Sequence, residues 1–209
     1  MLRIARWLRV RGGFWFPAFK WLLDRLFRAF SLGHQLNNFL ERKLLGGPWV
    51  SEVYQLLSVL IGLCWIALIE RPVLTAIYWI VFGLVVVFYR ILEILLFSLH
   101  WLFVAKRPVE SYGRSLLGFL INLCEIGIFF AIAYLLLGWF DPPQGAWSGL
   151  FKSLSSVFSL QPLSGLHEAR CPRVTAWFQL AISWVLIVLI VANVVGGISR
   201  GEKKLKGTV

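Results

Sequence analysis

The sequence is poor in charge and poorer still in the groupings of side chains that carry chemistry. Of its 209 residues only 15% are charged, against roughly 25% in an average soluble domain, while 59% are hydrophobic and the mean hydropathy is +0.77. Such a chain is not built for water as its main solvent. Cys64, Cys124 and Cys171 lie far apart, with no C-x-x-C pair and no cysteine–histidine cluster, so spacing argues against a disulfide framework and against a metal site. Two of them fall inside apolar runs and read as small apolar side chains. No nucleophile–base pair and no glycine-rich phosphate loop appears. An enzyme is therefore not expected, and no cofactor or metal is implied. The opening M-L-R-I-A-R-W-L-R-V-R-G-G lacks the unbroken apolar core and small-residue cleavage site of a secretory signal, because arginine recurs every two or three positions. It reads as part of the mature protein.

What charge there is has one sign and a clear address. Lys and Arg number 21 against 10 Asp and Glu, a formal net charge of +11. Residues 1–49 hold nine of those cations: Arg3, Arg6, Arg9, Arg11, Lys20, Arg25, Arg28, Arg42 and Lys43. Between residues 19 and 30, Phe19, Leu22, Leu23, Leu26 and Phe30 repeat with helical period, while Lys20, Asp24, Arg25 and Arg28 share the other side. This pattern predicts an amphipathic helix lying in the headgroup boundary, where apolar area and attraction to anionic lipid add. The alternative is a cytoplasmic surface for an anionic nucleotide or oligonucleotide, since arginine and tryptophan can pair with phosphates and stack on bases.

Four stretches are candidate membrane spans. Val53–Ile69 has 17 uncharged residues, just enough for a core of about 30 Å with help from its flanks. Val73–Tyr89 follows after a short break with proline and completes a hairpin. Beyond Arg90 the chain stays apolar to Ala105 but admits Glu93 and His100, and reads as the second helix running on along the cytoplasmic interface; a short further span is the alternative. His100 reads as an interfacial imidazole. Leu116–Phe140 and Val174–Ile198 are the third and fourth spans. Between them Trp147–Leu160 is apolar, rich in serine and too short to cross, which suits a re-entrant half-helix and turn. Four spans put both termini on one side. That side collects 17 cations against four, Arg71, Lys152, Arg170 and Arg173, on the other, which places the termini and residues 90–114 in the cytoplasm and residues 141–173 outside.

Helix, outer half-helix and turn, then helix is the plan of two-helix pore-loop channels, and the residues follow it. Asn122–Tyr134, N-L-C-E-I-G-I-F-F-A-I-A-Y, resembles the outer helix of the bacterial potassium-channel-like family, and Ala176–Asn193 is similar to its inner helix. Leu150–Ser164 falls where that family has its pore helix and filter. Phe151 and Ser153 match pore-helix positions and Ser156 the first threonine position, but Gln161, Pro162 and Leu163 occupy the glycine-tyrosine-glycine positions. Those glycines let carbonyls turn inward and replace water around potassium. Proline fixes its own φ and leucine disfavours positive φ, so a potassium filter is not expected here.

The resemblance covers residues 110–198 and implies a homo-oligomer, a tetramer, with Ser155, Ser156, Ser159 and Gln161 lining an outer vestibule of low selectivity. The alternative is a closed, non-conducting assembly that serves as a membrane anchor and recruits a soluble cytoplasmic partner through its basic N-terminal face. Glu125, about ten residues into the third span, would cost roughly 2.5–3.5 kcal/mol if unpaired. It is expected either to face a pore-side cavity or neighbouring helix and meet Gln179, Asn193 or another subunit, or to be a protonated carboxyl hydrogen-bonded within the bundle. Gly196 and Gly197 either bend the inner helix as a gate or end it before the basic tail. The expected fold is all-α, with about four transmembrane helices. Its parts are a basic amphipathic segment (1–49), a hairpin with an interfacial extension (50–109), a pore-loop module (110–199) and a basic cytoplasmic tail (200–209), in a bacterial inner membrane.

Overall fold

The computed structural model describes residues 15–32, 35, 49–69, 77–103 and 112–206. Among them are six helices: α1 (Trp15–Phe30), α2 (Trp49–Leu68), α3 (Ile77–Phe103), α4 (Tyr112–Leu136), α5 (Ala146–Ser159) and α6 (Arg170–Lys206). The described residues contain no strand beyond an isolated bridge between Phe140 and Leu166. Long apolar runs in lipid must satisfy their backbone groups within themselves, and a helix does so.

By length and composition, three described helical stretches can cross a membrane: Ile77–His100, Leu116–Leu136 and Cys171–Ala192. The first of the four expected spans lies on α2, whose described apolar part, Glu52–Leu68, is shorter than these three. The described residues are therefore all-helical, with three candidate transmembrane helices and one shorter apolar helix.

The centre of the bundle is α4. Of its span 67% is buried inside the protein, against 39% for the spans of α3 and α6, so α4 is the wall the others share. Ile126, Ala131, Ile132 and Tyr134 are fully enclosed, whereas α2, α3 and α6 keep Leu60, Ile61, Val85, Phe88, Trp177 and Val188 on the outside. Outward apolar surface on this scale is what a lipid-facing helix presents. Close approach to α4 is made at glycine: a Cβ on Gly62 of α2 would lie 2.6 Å from Ile128 Cγ2.

Two packings are antiparallel and set the rest. The first joins α1 to α3: Asp24 faces His100, Phe27 stacks on His100 at 4.1 Å between centroids, and Ser31 faces Glu93. At 27 residues, about 40 Å, α3 exceeds a 30 Å core, and α1 covers its last turns. The helix runs unbroken past Arg90 to Phe103.

The second joins α5 to α4. A Cβ on Gly149 would touch Leu135, and one on Gly127 would touch Leu154, so α5 runs back along α4 for about two turns, roughly 12 Å. The loop ends are clasped together, Asp141 N–H donating to Gly165 O at 2.9 Å and His167 N–H to Trp139 O at 2.8 Å.

Candidate functional site

Polar side chains are buried on two opposite sides of α4. On the side of α5 and α6 the cluster is neutral. Gln179 of α6 is fully buried; its Oε1 accepts from Tyr134 OH at 2.9 Å, and its Nε2 donates to Ser153 Oγ at 3.0 Å. Ser153 Oγ donates in turn to Gly127 O at 2.8 Å. Ser183 Oγ donates to the Gln179 carbonyl at 2.9 Å. Each of these donors has an acceptor, so α5 is tied by one edge to both long helices. Gly127 makes the approach possible: its Cβ would stand 2.6 Å from Leu154 Cδ2 and 3.3 Å from Leu154 Cα.

The other edge of α5 carries the filter-like residues. Ser155, Ser156, Ser159, Gln161, Pro162 and Leu163 line one open pocket of about 170 Å³, with Phe151, Lys152 and Ser164. Ser153, which the resemblance matched to a pore-helix position, is not in this lining but buried on the other edge. The roles of the lining residues differ from the expectation in detail. Ser155, Ser159, Gln161 and Pro162 are exposed. Leu163 is buried, and the Ser156 hydroxyl donates to Gln161 O at 2.6 Å, closing the turn. Leu160, at φ 55, ends α5 in the left-handed region. Lys152 is the one charged side chain in the lining, which has no carboxylate.

On the side of α2 and α3 the cluster is ionic. Arg90 Nη2 donates to Glu125 Oε1 at 2.7 Å, and Arg90 Nη1 donates to Glu93, one turn along α3. Tyr54 OH donates to Glu93 Oε2 at 2.7 Å, and the Arg90 guanidinium lies over the Tyr54 ring, 4.8 Å from its centroid. Ser31, directly after α1, donates to Glu93 Oε1 at 3.4 Å, and Gln55 Nε2 to Asn122 Oδ1 at 3.1 Å. Arg90, Glu93 and Glu125 are all buried.

This corrects two expectations. Glu125 does not meet Gln179, because it lies on the face of α4 turned away from α6 and pairs with Arg90 of the neighbouring α3, while Gln179 is engaged with Tyr134 and Ser153; the side chain of Asn193 lies outside the described residues. Arg90, counted among the cations of the cytoplasmic interface, is instead a buried counter-charge within a candidate span. The sequence held a usable signal: Arg90 and Glu93, at i and i+3 in an apolar run, form a helical ion pair, and Glu125 in the next helix lacked a positive partner.

At the N-terminal segment the described cations are partly engaged. Arg28 pairs with Asp24 at 2.8 Å, and Arg25 stacks over Trp21 at 5.1 Å. Lys20 is half-buried. Burial raises the Asp24 carboxyl, but hydrogen bonds from Arg28 and His100 outweigh it and hold the group below its ordinary range. The expected apolar stripe is divided: Leu23 is buried and Leu26 half-buried, whereas Phe19, Leu22 and Phe30 stay exposed; Phe27, outside that stripe, is buried too. Arg3, Arg6, Arg9 and Arg11 lie outside the described residues. Gly196 and Gly197 do not end the inner helix, since α6 continues to Lys206. A helical glycine costs about 1 kcal/mol relative to alanine, and cations in the last turns suit the negative helix end. Asn193 lies on that helix too.

Among the described residues no group of three or more His, Cys, Asp or Glu is placed to hold a metal. The chain matches no protein-family model, and neither a curated protein nor a solved structure is significantly similar to it.

Proposed function

We propose that this is a bacterial inner-membrane protein whose α4–α5–α6 module forms a homo-oligomeric, ion-conducting pore of low or non-potassium selectivity. The observation that carries the reading is α5: a 14-residue helix between two long apolar helices, bonded to both by one edge and leaving Ser155, Ser159 and Gln161 free on the other. Half-helices of this kind are tolerated at membrane depth when shielded by protein or lining a water-filled path. Four copies around an axis at the free edge, as the channel resemblance implies, give α5 the position of a pore helix. Both termini lie in the cytoplasm. With Arg90 assigned to the bundle interior, 16 cations remain on that side against four outside.

Opening is controlled from the cytoplasmic side through the basic N-terminal segment, by a soluble partner or an anionic ligand, while the exposed apolar stripe and cations of α1 rest on anionic lipid. Support for that coupling is the continuous contact from Ser31 through Glu93 and Arg90 to Glu125, which joins α1 to the outer pore helix.

Planar-bilayer recording of the purified, reconstituted protein tests the reading. Reproducible unitary currents are expected, together with a shift in reversal potential toward cations in Lys152→Glu. A silent oligomer that still captures a soluble partner would overturn conduction in favour of an anchor.

A further inference from the structure

The pocket on the free edge of α5 is lined by groups that donate. Lys152, Ser155 and Ser159 follow one another at i, i+3 and i+7, which sets an ammonium and two hydroxyls on one stripe of the helix. The Ser164 hydroxyl and the Gln161 side-chain amide join them from the turn that follows, and no carboxylate is in the lining. Backbone carbonyls are the groups that replace water around a cation in a filter. Here they are engaged at both ends of the turn: Gln161 O accepts from Ser156 Oγ at 2.6 Å, and Gly165 O accepts from Asp141 N–H at 2.9 Å. Gly165, at φ 73, leaves space for the lysine, since a Cβ there would stand 3.3 Å from Lys152 Nζ. The ammonium therefore lies against the turn at the pocket. Asp141 and Glu168 of the same loop are outside the lining, and Glu168 is offset by Arg173 at 3.7 Å.

We propose that this pocket binds small inorganic anions of the chloride class, and that the pore it lines therefore conducts anions. The conduction half rests on the pore reading given above; the binding half does not. A volume of about 170 Å³ holds an ion with several of its waters. Lys152 supplies the charge, while Ser155 and Ser159 supply hydrogen bonds to a partly hydrated ion, so discrimination among anions is low. Rings of lysine or arginine select anions in pores, and copies of Lys152 around a common axis make such a ring. A lining of one sign also raises the local concentration of the opposite ion.

Planar-bilayer recording of the full-length protein under a potassium chloride gradient reads the sign of the permeant ion. The wild type is expected to reverse near the chloride equilibrium potential, and Lys152→Gln should move that reversal toward zero. Lys152→Arg, which keeps the charge, should stay near the chloride value. Reversal of the wild type near the potassium potential, or an unchanged reversal in Lys152→Gln, would overturn anion conduction while leaving the pore itself intact. A silent protein would instead overturn the pore, and chloride NMR of the full-length protein in phosphatidylcholine liposomes then decides the binding site. The wild type is expected to broaden the chloride line and Lys152→Gln to restore part of its sharpness. Equal line widths in the two would overturn the site.

Discussion

The two polar clusters flanking α4 use similar materials to opposite ends. Around Gln179 every buried donor has an acceptor and no member carries charge, so the cluster behaves as a fixed joint between α5 and its neighbours. Around Arg90 the members are charged, and Glu125 Oε2, Ser58 Oγ and Arg90 Nε are left without partners. A completed neutral network rigidifies; an incomplete ionic one has states to choose between. One side of α4 is thus built to hold position and the other to respond.

Removing Arg90 should break that contrast most severely. Arg90→Met removes the guanidinium that two buried carboxylates share, and a loss of about 3–5 kcal/mol is expected, read as a fall in thermal stability in detergent. Glu125→Gln should cost far less, because the amide oxygen can still accept from Arg90 and Glu93 stays paired with it. Equal losses in the two variants would show that the charge on Glu125 matters as much as that on Arg90.

On the neutral side, Gly127→Ala should cost about 1–3 kcal/mol by driving a methyl into Leu154, and adding Leu154→Ala should return part of it. An unchanged melting temperature in the single variant would mean that α5 does not press on α4 as closely as the fixed joint requires. Gln179→Leu should cost about 1–2 kcal/mol, since Tyr134 and Ser153 lose a shared partner.

The smallest effect should come from pH at α1. The folded Asp24 carboxyl lies below its unfolded value of about 4, so its contribution is present above that value and is lost as pH falls through the folded one. The change should be within about 1 kcal/mol, followed by protease access to the N-terminal segment, and Asp24→Asn should remove it.

Much of this was legible from spacing along the chain. The period of Phe19, Leu22, Leu23, Leu26 and Phe30 marks α1, and the short serine-rich run marks α5 to within a residue at each end. Both signals are local. Arg90 was misassigned because a count of cations by segment cannot tell an interfacial arginine from one turned inward, and its partner lies 35 residues away. Likewise the continuation of α6 through Gly196 and Gly197 depends on the balance between glycine's cost and the helix on both sides, which two adjacent residues do not reveal.

That separation of 35 residues between Arg90 and Glu125 has a consequence during synthesis. At about 5–20 residues per second, the ribosome releases Arg90 and Glu93 roughly 2–7 s before their partner on α4. For that interval α3 must wait at the translocon with a charge to shelter, and α4 must then enter carrying a carboxyl that is costly to insert alone. Delivery of the two helices together, as one paired unit leaving the lateral gate, spares the bilayer both charges.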